Sequence, residues 1–414
     1  MKKYFPFIAI FFLTTIIFWQ TLSLYFVQDD FLFLVAAKEG SLQNALSFIL
    51  PRSDVVWYRP LSSQYFFFFC MRLFGANPWF YHAVMLLTHA INIVLVFRLS
   101  NLLTKNRKTA ILASLLYALS ANHFITLSWS ATYSFILGPT FMLLTLICFF
   151  SNMPRRALLF FGLGLLSSEI VVSTIIPLIY WEVAHKKSCN LKALLQTLGP
   201  YVFFIGVLVV VRKILFPVSF VDAYQLVFSS GIISLFRFYL IRTIGLPMLI
   251  KNSGAETNTI ITLLLGLLFT IGIVVCILQR GIKKIFYLEQ IHVEPAIILS
   301  LCMYLSSLLP FLFLPNHYSP HYLTFAMVGV SLFFSVLLSS YPRIIQFALV
   351  ACFVSLQFLS VQITYNTHWI VSRAHLAQKL VSERRFLHPV GSEEYFALGA
   401  NRAAEFFSDS QNSY

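Results

Sequence analysis

The chain is short of charge, and above all short of acid. Of its 414 residues only 15 are Asp or Glu, and charged residues of both signs make up 11%. Soluble globular domains carry roughly a quarter charged residues, so an ordinary water-facing surface is excluded. Period-2 alternation is missing, which removes a membrane β-barrel. There is no G-x-x-x-x-G-K-[ST] and no G-x-G-x-x-G, so a cytoplasmic nucleotide-sugar or ATP-driven mechanism has no support. The six cysteines, Cys70, Cys148, Cys189, Cys276, Cys302 and Cys352, form no C-x-x-C pair. Most fall in apolar runs and read as small packing residues rather than a disulfide framework or zinc site.

What the chain has instead is apolar surface: 59% of residues are hydrophobic and 17% aromatic. Several runs approach the ~20 residues that span a bilayer as a helix. The fold class is therefore an all-α polytopic membrane protein, with about 11 transmembrane helices in this reading. The net charge is +14. In a soluble chain that excess would raise nucleic acid as a partner. Here the basic residues sit in short loops and orient the helices, and they suit membrane lipids or a lipid phosphate.

Lys2 and Lys3 precede an apolar run from about Tyr4 to Phe26. It is longer than a signal-peptide core and no small-residue cleavage site follows, so it reads as a retained first helix with a cytoplasmic start. Asp29 and Asp30 then emerge on the opposite side. Basic clusters around Lys105, Arg155-Arg156, Lys186-Lys187, Arg280 and Arg343 mark cytoplasmic returns. Further spans are expected near 79–102, 110–124, 133–150, 194–211, 259–278, 296–314, 323–339 and 344–361. Ala157–Val183 has basic residues at both ends and reads as a hairpin of two short helices. Its tip, Ser167-Ser168-Glu169, would lie in a protein-lined cavity. Tyr65–Phe74 and Leu215–Asn258 read as interfacial helices on the outer face. Residues 1–363 form the transmembrane domain and 364–414 a short extracytoplasmic helical tail. In that tail Thr367–Leu387 has helical spacing, and Ser392 is a candidate N-cap ahead of Glu393 and Glu394.

This topology gathers the rare ionisable groups on one side. Asp29, Asp30, Arg59, His82, His123, Glu169, His317 and His321 all fall at or beyond outer helix ends. Such groups are costly beside a membrane, and their shared sidedness points to a site. An acid in a partly dry cavity beside a second acid has its proton affinity raised, which suits it to take a proton from a hydroxyl nucleophile. The plainer reading is a solvated pair that starts the next helix. Arg59 offers a planar fork to a phosphate or carboxylate, or a salt bridge to Asp29 or Asp30. Glu169 either caps a short helix or orients substrate and cationic side chains. His317 and His321 are four apart, but Pro320 argues against a regular helix there and zinc would need more ligands. Hydrogen bonding to a phosphate or sugar is the better reading. His82 and His89, two turns apart on the second span, suit packing and interhelical hydrogen bonding.

One signature runs through Trp57-Tyr58-Arg59-Pro60-Leu61, Leu73-Phe74-Gly75-Ala76-Asn77-Pro78, Tyr81-His82 and Leu86-Leu87-Thr88-His89-Ala90-Ile91-Asn92. It resembles the membrane glycosyltransferases of GT-C fold, especially the protein O-mannosyltransferase-like group with a tetratricopeptide tail and its bacterial relatives. Asp29-Asp30 is similar to that fold's first-loop acid motif. Ser167-Ser168-Glu169 resembles the family's S-K-E element, and His321-Tyr322-Leu323 its R-Y-L element. The resemblance covers roughly residues 1–340. It implies a polyprenyl-phosphate-linked sugar donor, an acceptor arriving from the outer aqueous side, a first-loop acid as general base, and inversion at the anomeric centre. It also implies a bacterial inner-membrane location. The chain departs from the pattern at several positions. Ser120-Ala121-Asn122-His123-Phe124-Ile125 stands for H-P-x-H-x-E, and Phe135 stands at a further family acid. Met85 replaces an asparagine, Ser168 the lysine and His321 the arginine. No tetratricopeptide repeats follow.

The function expected is transfer of a sugar from a polyprenyl-phosphate donor to a protein, lipid or glycan acceptor on the extracytoplasmic face. Asp29 would be the base, with Asp30 positioning the acceptor or sharing that role. Arg59, His82, His123, Glu169, His317 and His321 would contact or orient the substrates. No metal site is assigned, and dependence on a divalent cation stays open. The alternatives are a non-enzymatic lipid-linked glycan transporter or degenerate scaffold, and a surface-polysaccharide polymerase or ligase.

Overall fold

The computed structural model describes residues 5–40, 45–50, 58–185, 190–215, 226–247, 256–286 and 295–387. Lys2, Lys3, Trp57, Lys186, Lys187, Cys189, Ser392, Glu393 and Glu394 lie outside the described residues. Among those described, every regular element is helical. The helices are α1 (Phe5–Phe18), α2 (Asp29–Glu39), α3 (Phe66–Phe74), α4 (Pro78–Thr104), α5 (Arg107–Ala118), α6 (His123–Ser128), α7 (Ser134–Phe150) and α8 (Pro154–Leu165). They continue as α9 (Ile175–Tyr180), α10 (Leu191–Leu215), α11 (Gly231–Thr243), α12 (Glu256–Phe286), α13 (Pro295–Leu308), α14 (Leu323–Leu338), α15 (Arg343–Thr367) and α16 (Trp369–Leu387).

Local sequence explains several boundaries. The Asn77 side chain accepts the Trp79 N–H, and Pro78 occupies the first helical position, where no helical donor is needed. Asn106 accepts the N–H groups of Lys108 and Thr109 and starts α5. After α8 the chain breaks at Ser167-Ser168, with Ser168 extended (φ −162°, ψ 129°). Ser62 Oγ donates to the Ser167 carbonyl, and the Leu61 N–H to the Leu166 carbonyl, so the break is stitched to the turn before α3.

Among the described residues, eight helical stretches are long and apolar enough to cross a membrane. The expectation of about 11 is not reproduced by that count. The difference lies at 110–124 and at the two arms of 157–183, where α5 and α8 have 12 residues each and α9 has 6. At 1.5 Å per residue, 12 residues reach only ~18 Å of a ~30 Å hydrocarbon core. Hydropathy reports how far an apolar run extends and not where its helix stops.

Helix α14 is the centre of the bundle: 94% of its span is buried, against 11% for Leu191–Val211 of α10. It packs on α13, α5 and α7. The α13–α14 approach is close enough to demand glycine. A Cβ on Gly329 would run into the Ser300 carbonyl oxygen and come within 2.8 Å of the Tyr304 amide nitrogen. Helices α4 and α7 are locked by Asn92, whose Nδ2 donates to the Ile136 carbonyl at 2.8 Å while its Oδ1 accepts from Thr140 Oγ1 at 2.7 Å. Small residues and interhelical hydrogen bonds are the usual glue where lipid offers no hydrophobic drive between helices. Gly329→Ala is therefore expected to lower stability by about 1–3 kcal/mol. A Tm in detergent equal to that of the parent would contradict the close-packed α13–α14 seam.

Candidate functional site

The site is built on the turn into α2. Gln28 there adopts φ 45°, ψ −117°, a region that favours glycine. This strained turn delivers Asp29 and Asp30 to the start of the helix with different surroundings. Asp30 is 1% exposed. Its Oδ2 accepts the Val27 N–H at 2.9 Å and its Oδ1 the Ala131 N–H at 2.6 Å. Burial pushes its pKa up to about 8, against the opposing pull of those backbone N–H groups, and the nearby Asp29 charge adds to the rise. Asp29 is exposed to solvent, yet enough protein surrounds it to raise its pKa as well.

The amide that holds Asp30 belongs to residues 129–135, the connection after α6 together with the first two residues of α7, and this stretch gathers most of the other groups. Ser134 Oγ accepts Arg59 Nη1–H at 3.2 Å. The Arg59 guanidinium lies over the Phe135 ring, 5.7 Å from its centroid. The His321 ring meets the same Phe135 edge-to-face at 4.8 Å, and meets Trp129 at 6.4 Å. Pro139 inside α7 has no N–H, which leaves the Phe135 carbonyl without its helical donor. Phe135 thus stands between an arginine and a histidine.

Arg59 and Glu169 form a two-pronged pair. Nε donates to Oε2 at 2.7 Å and Nη2 to Oε1 at 2.6 Å. The Arg59 side chain is 12% exposed and that of Glu169 26%, so solvent screens the pair only partly. The acid that grips Arg59 is Glu169, presented by the break at Ser167-Ser168. His321 Nδ1 is 2.6 Å from Ser319 Oγ. His317 Nδ1 is hydrogen-bonded to the Tyr322 hydroxyl, and the Tyr322 ring stacks on Phe311 at 3.9 Å. Burial lowers the pKa of His317. His368, at the end of α15, is 4% exposed, and burial brings its pKa down to about 4.

Asp29, Asp30, Arg59, Glu169, His317 and His321 are thus joined through one segment and its neighbours. His82 and His123 are placed otherwise. Each is 1% exposed. His82 Nδ1–H donates to the Leu127 carbonyl and His123 Nε2–H to the Tyr117 carbonyl, both at 2.9 Å. His123 packs its ring on His89 at 4.5 Å. Their partners among the described residues are helix-end carbonyls and core rings, not Arg59, Glu169 or His321. Among the described residues no group of three or more His, Cys, Asp or Glu is arranged to hold a metal ion.

Trp129, Ser134 and His368 were not singled out by sequence. A signal did exist for the first two: Ser128 to Ser134 is a run of small hydroxyl residues and aromatics between two apolar helices. No protein-family model matches the chain, and no curated protein matches it.

Asp30 gives a pH signature with a defined sign. Its pKa rises from the ordinary 3.8 when unfolded to about 8 when folded. The folded chain therefore binds more protons between those values, and stability should fall as pH rises through that window. Thermal unfolding from pH 5 to 9 is expected to show a falling Tm, with a shallower slope in Asp30→Asn. A Tm that climbs with pH over that range would refute the assignment. Separately, Glu169→Gln halves the grip on a mostly buried Arg59 and is expected to lower stability by about 1–3 kcal/mol. Urea or thermal titration of the variant checks this, and an unchanged midpoint would count against the pair.

Proposed function

We propose that this protein is a membrane glycosyltransferase that moves a sugar from a polyprenyl-phosphate donor to an acceptor hydroxyl on the extracytoplasmic face. One observation carries the reading. A solvent-reachable Asp29 with raised proton affinity sits beside a pinned Asp30, and residues 129–135 connect that pair to the Arg59–Glu169 fork and to His321.

The division of labour follows from burial. Asp29 is open to a substrate and takes the hydroxyl proton as the acceptor oxygen bonds to the anomeric carbon. The bond from that carbon to the phosphate oxygen breaks, with inversion, and polyprenyl phosphate leaves as the anion. Asp30 keeps the turn in place through its two N–H groups. Arg59, oriented by Glu169, supplies positive charge for the departing phosphate. His317 and His321 offer hydrogen bonds near it. The GT-C resemblance of the Arg59-to-Asn92 signature supports the same assignment. His82 and His123 each give one ring N–H to a backbone carbonyl, and His82 Nε2 is buried without a partner among the described residues.

A second reading is a lipid-linked glycan transporter. It is favoured by Phe135 and Ser168, which replace an acid and a lysine of the family pattern. The two separate in proteoliposomes loaded with a polyprenyl-phosphate sugar and a hydroxyl acceptor. A transferase forms a new glycosidic bond, and Asp29→Asn is expected to slow it by about 10²-fold or more. Full turnover in Asp29→Asn would refute the base. Movement of the lipid-linked sugar across the bilayer with no new bond would establish the transporter.

A further inference from the structure

Beside Asp30 the chain carries an aromatic pair that the proposed mechanism leaves unused. The rings of Trp129 and Trp369 meet edge-to-face with centroids 5.6 Å apart. Trp129 lies two residues before the amide that holds Asp30, and its other ring contact is His321. Trp369 opens α16, keeps 37% of its surface exposed, and has the Arg373 guanidinium over its ring at 4.8 Å. So one half-open aromatic surface begins beside the carboxylates and ends at solvent.

A second, independent observation falls on the same residues. Ser128 Oγ, Trp129 Nε1 and Ser130 Oγ are shut from solvent, and none has a hydrogen-bond partner among the described residues. Ser128 and Ser130 are 0% exposed. Buried polar atoms are almost always satisfied, and leaving one unpaired costs about 1–3 kcal/mol. Three in a row, next to the half-open tryptophan pair, are polar groups that the described residues leave unsatisfied. A tryptophan serving only as a membrane-interface anchor would keep its N–H in water, whereas Trp129 does not.

The combination selects a class of ligand. A pyranose presents a face of C–H bonds, which lies well on an electron-rich ring, and a rim of hydroxyls that both donate and accept. A polypeptide is captured mainly through backbone groups at a strand edge or through an apolar helix groove. No strand is present among the described residues, and the helices here bond their own backbone groups. We propose that Trp129 and Trp369, with Ser128 and Ser130, form the acceptor subsite, and that the acceptor is a saccharide. This rests on the transferase reading of the same site. It places the sugar ring on the tryptophans with one hydroxyl reaching Asp29.

Binding tests the subsite without requiring transfer. Full-length protein in detergent is titrated with methyl mannoside, methyl glucoside and N-acetylglucosamine, and with a hydroxyl-bearing hexapeptide, by saturation-transfer NMR. At least one sugar is expected to bind. Trp369→Ala should weaken it about tenfold, and Trp369→Phe should retain most of the binding. Thermal unfolding confirms that each variant is folded. The proposal is overturned if no sugar binds, if Trp369→Ala binds undiminished, or if the hexapeptide displaces the sugar. Sugar binding that needs Trp369, together with an Asp29→Asn variant that still transfers, would instead remove the catalytic reading and leave the subsite standing.

Discussion

Two backbone N–H groups about a hundred residues apart, those of Val27 and Ala131, converge on one buried carboxylate, and the arrangement of the site depends on that convergence. A carboxyl group with two acceptor oxygens is the side chain that can take both donors at once. By doing so Asp30 ties the start of α2 to the segment between α6 and α7. The strained backbone at Gln28 becomes tolerable because both ends of the turn are held. Asp29, one residue earlier, is left with no such duty and faces water. Adjacent acids in the sequence acquire opposite roles because one of them is consumed as structure.

Much of this was legible in the sequence, and the physical reason is scale. Composition reports on the solvent, so the membrane class followed from apolar content alone. Capping chemistry is local, and Asn77-Pro78 and Asn106 start α4 and α5 a few residues ahead of the apolar runs that mark them in the sequence. The break at Ser167-Ser168-Glu169 was also visible, because polar residues between two short apolar runs are tolerated at a turn and not in lipid. What sequence could not supply was partnership. His82 and His123 look as good as His317 and His321 in one dimension. Only tertiary contact reveals that the first two serve helix-end carbonyls. Trp129 escaped for a different reason. In a chain that is 17% aromatic, one more ring carries no signal until its contacts with His321 and Trp369 are seen.

The bundle holds these pieces with few strong bonds. Lipid surrounds the outer helices, so apolar contact alone does little to order them. Close approaches such as Gly329 against Ser300, and buried links such as Asn92 to Thr140 and Ile136, fix the relative positions instead. The Arg59–Glu169 fork performs the same service at the polar end. It joins the turn before α3 to the break after α8, and so sets an arginine beside Phe135.

The short helices α5 and α8 have an electrical consequence. Each is ~12 Å shorter than the ~30 Å hydrocarbon thickness around the protein. Where such helices stop, polar residues and water can take the place of apolar chain. A membrane potential drops mainly across low-dielectric material, at ~2.3 kcal/mol per unit charge for each 100 mV. Over a thinner insulating layer the same voltage gives a steeper field.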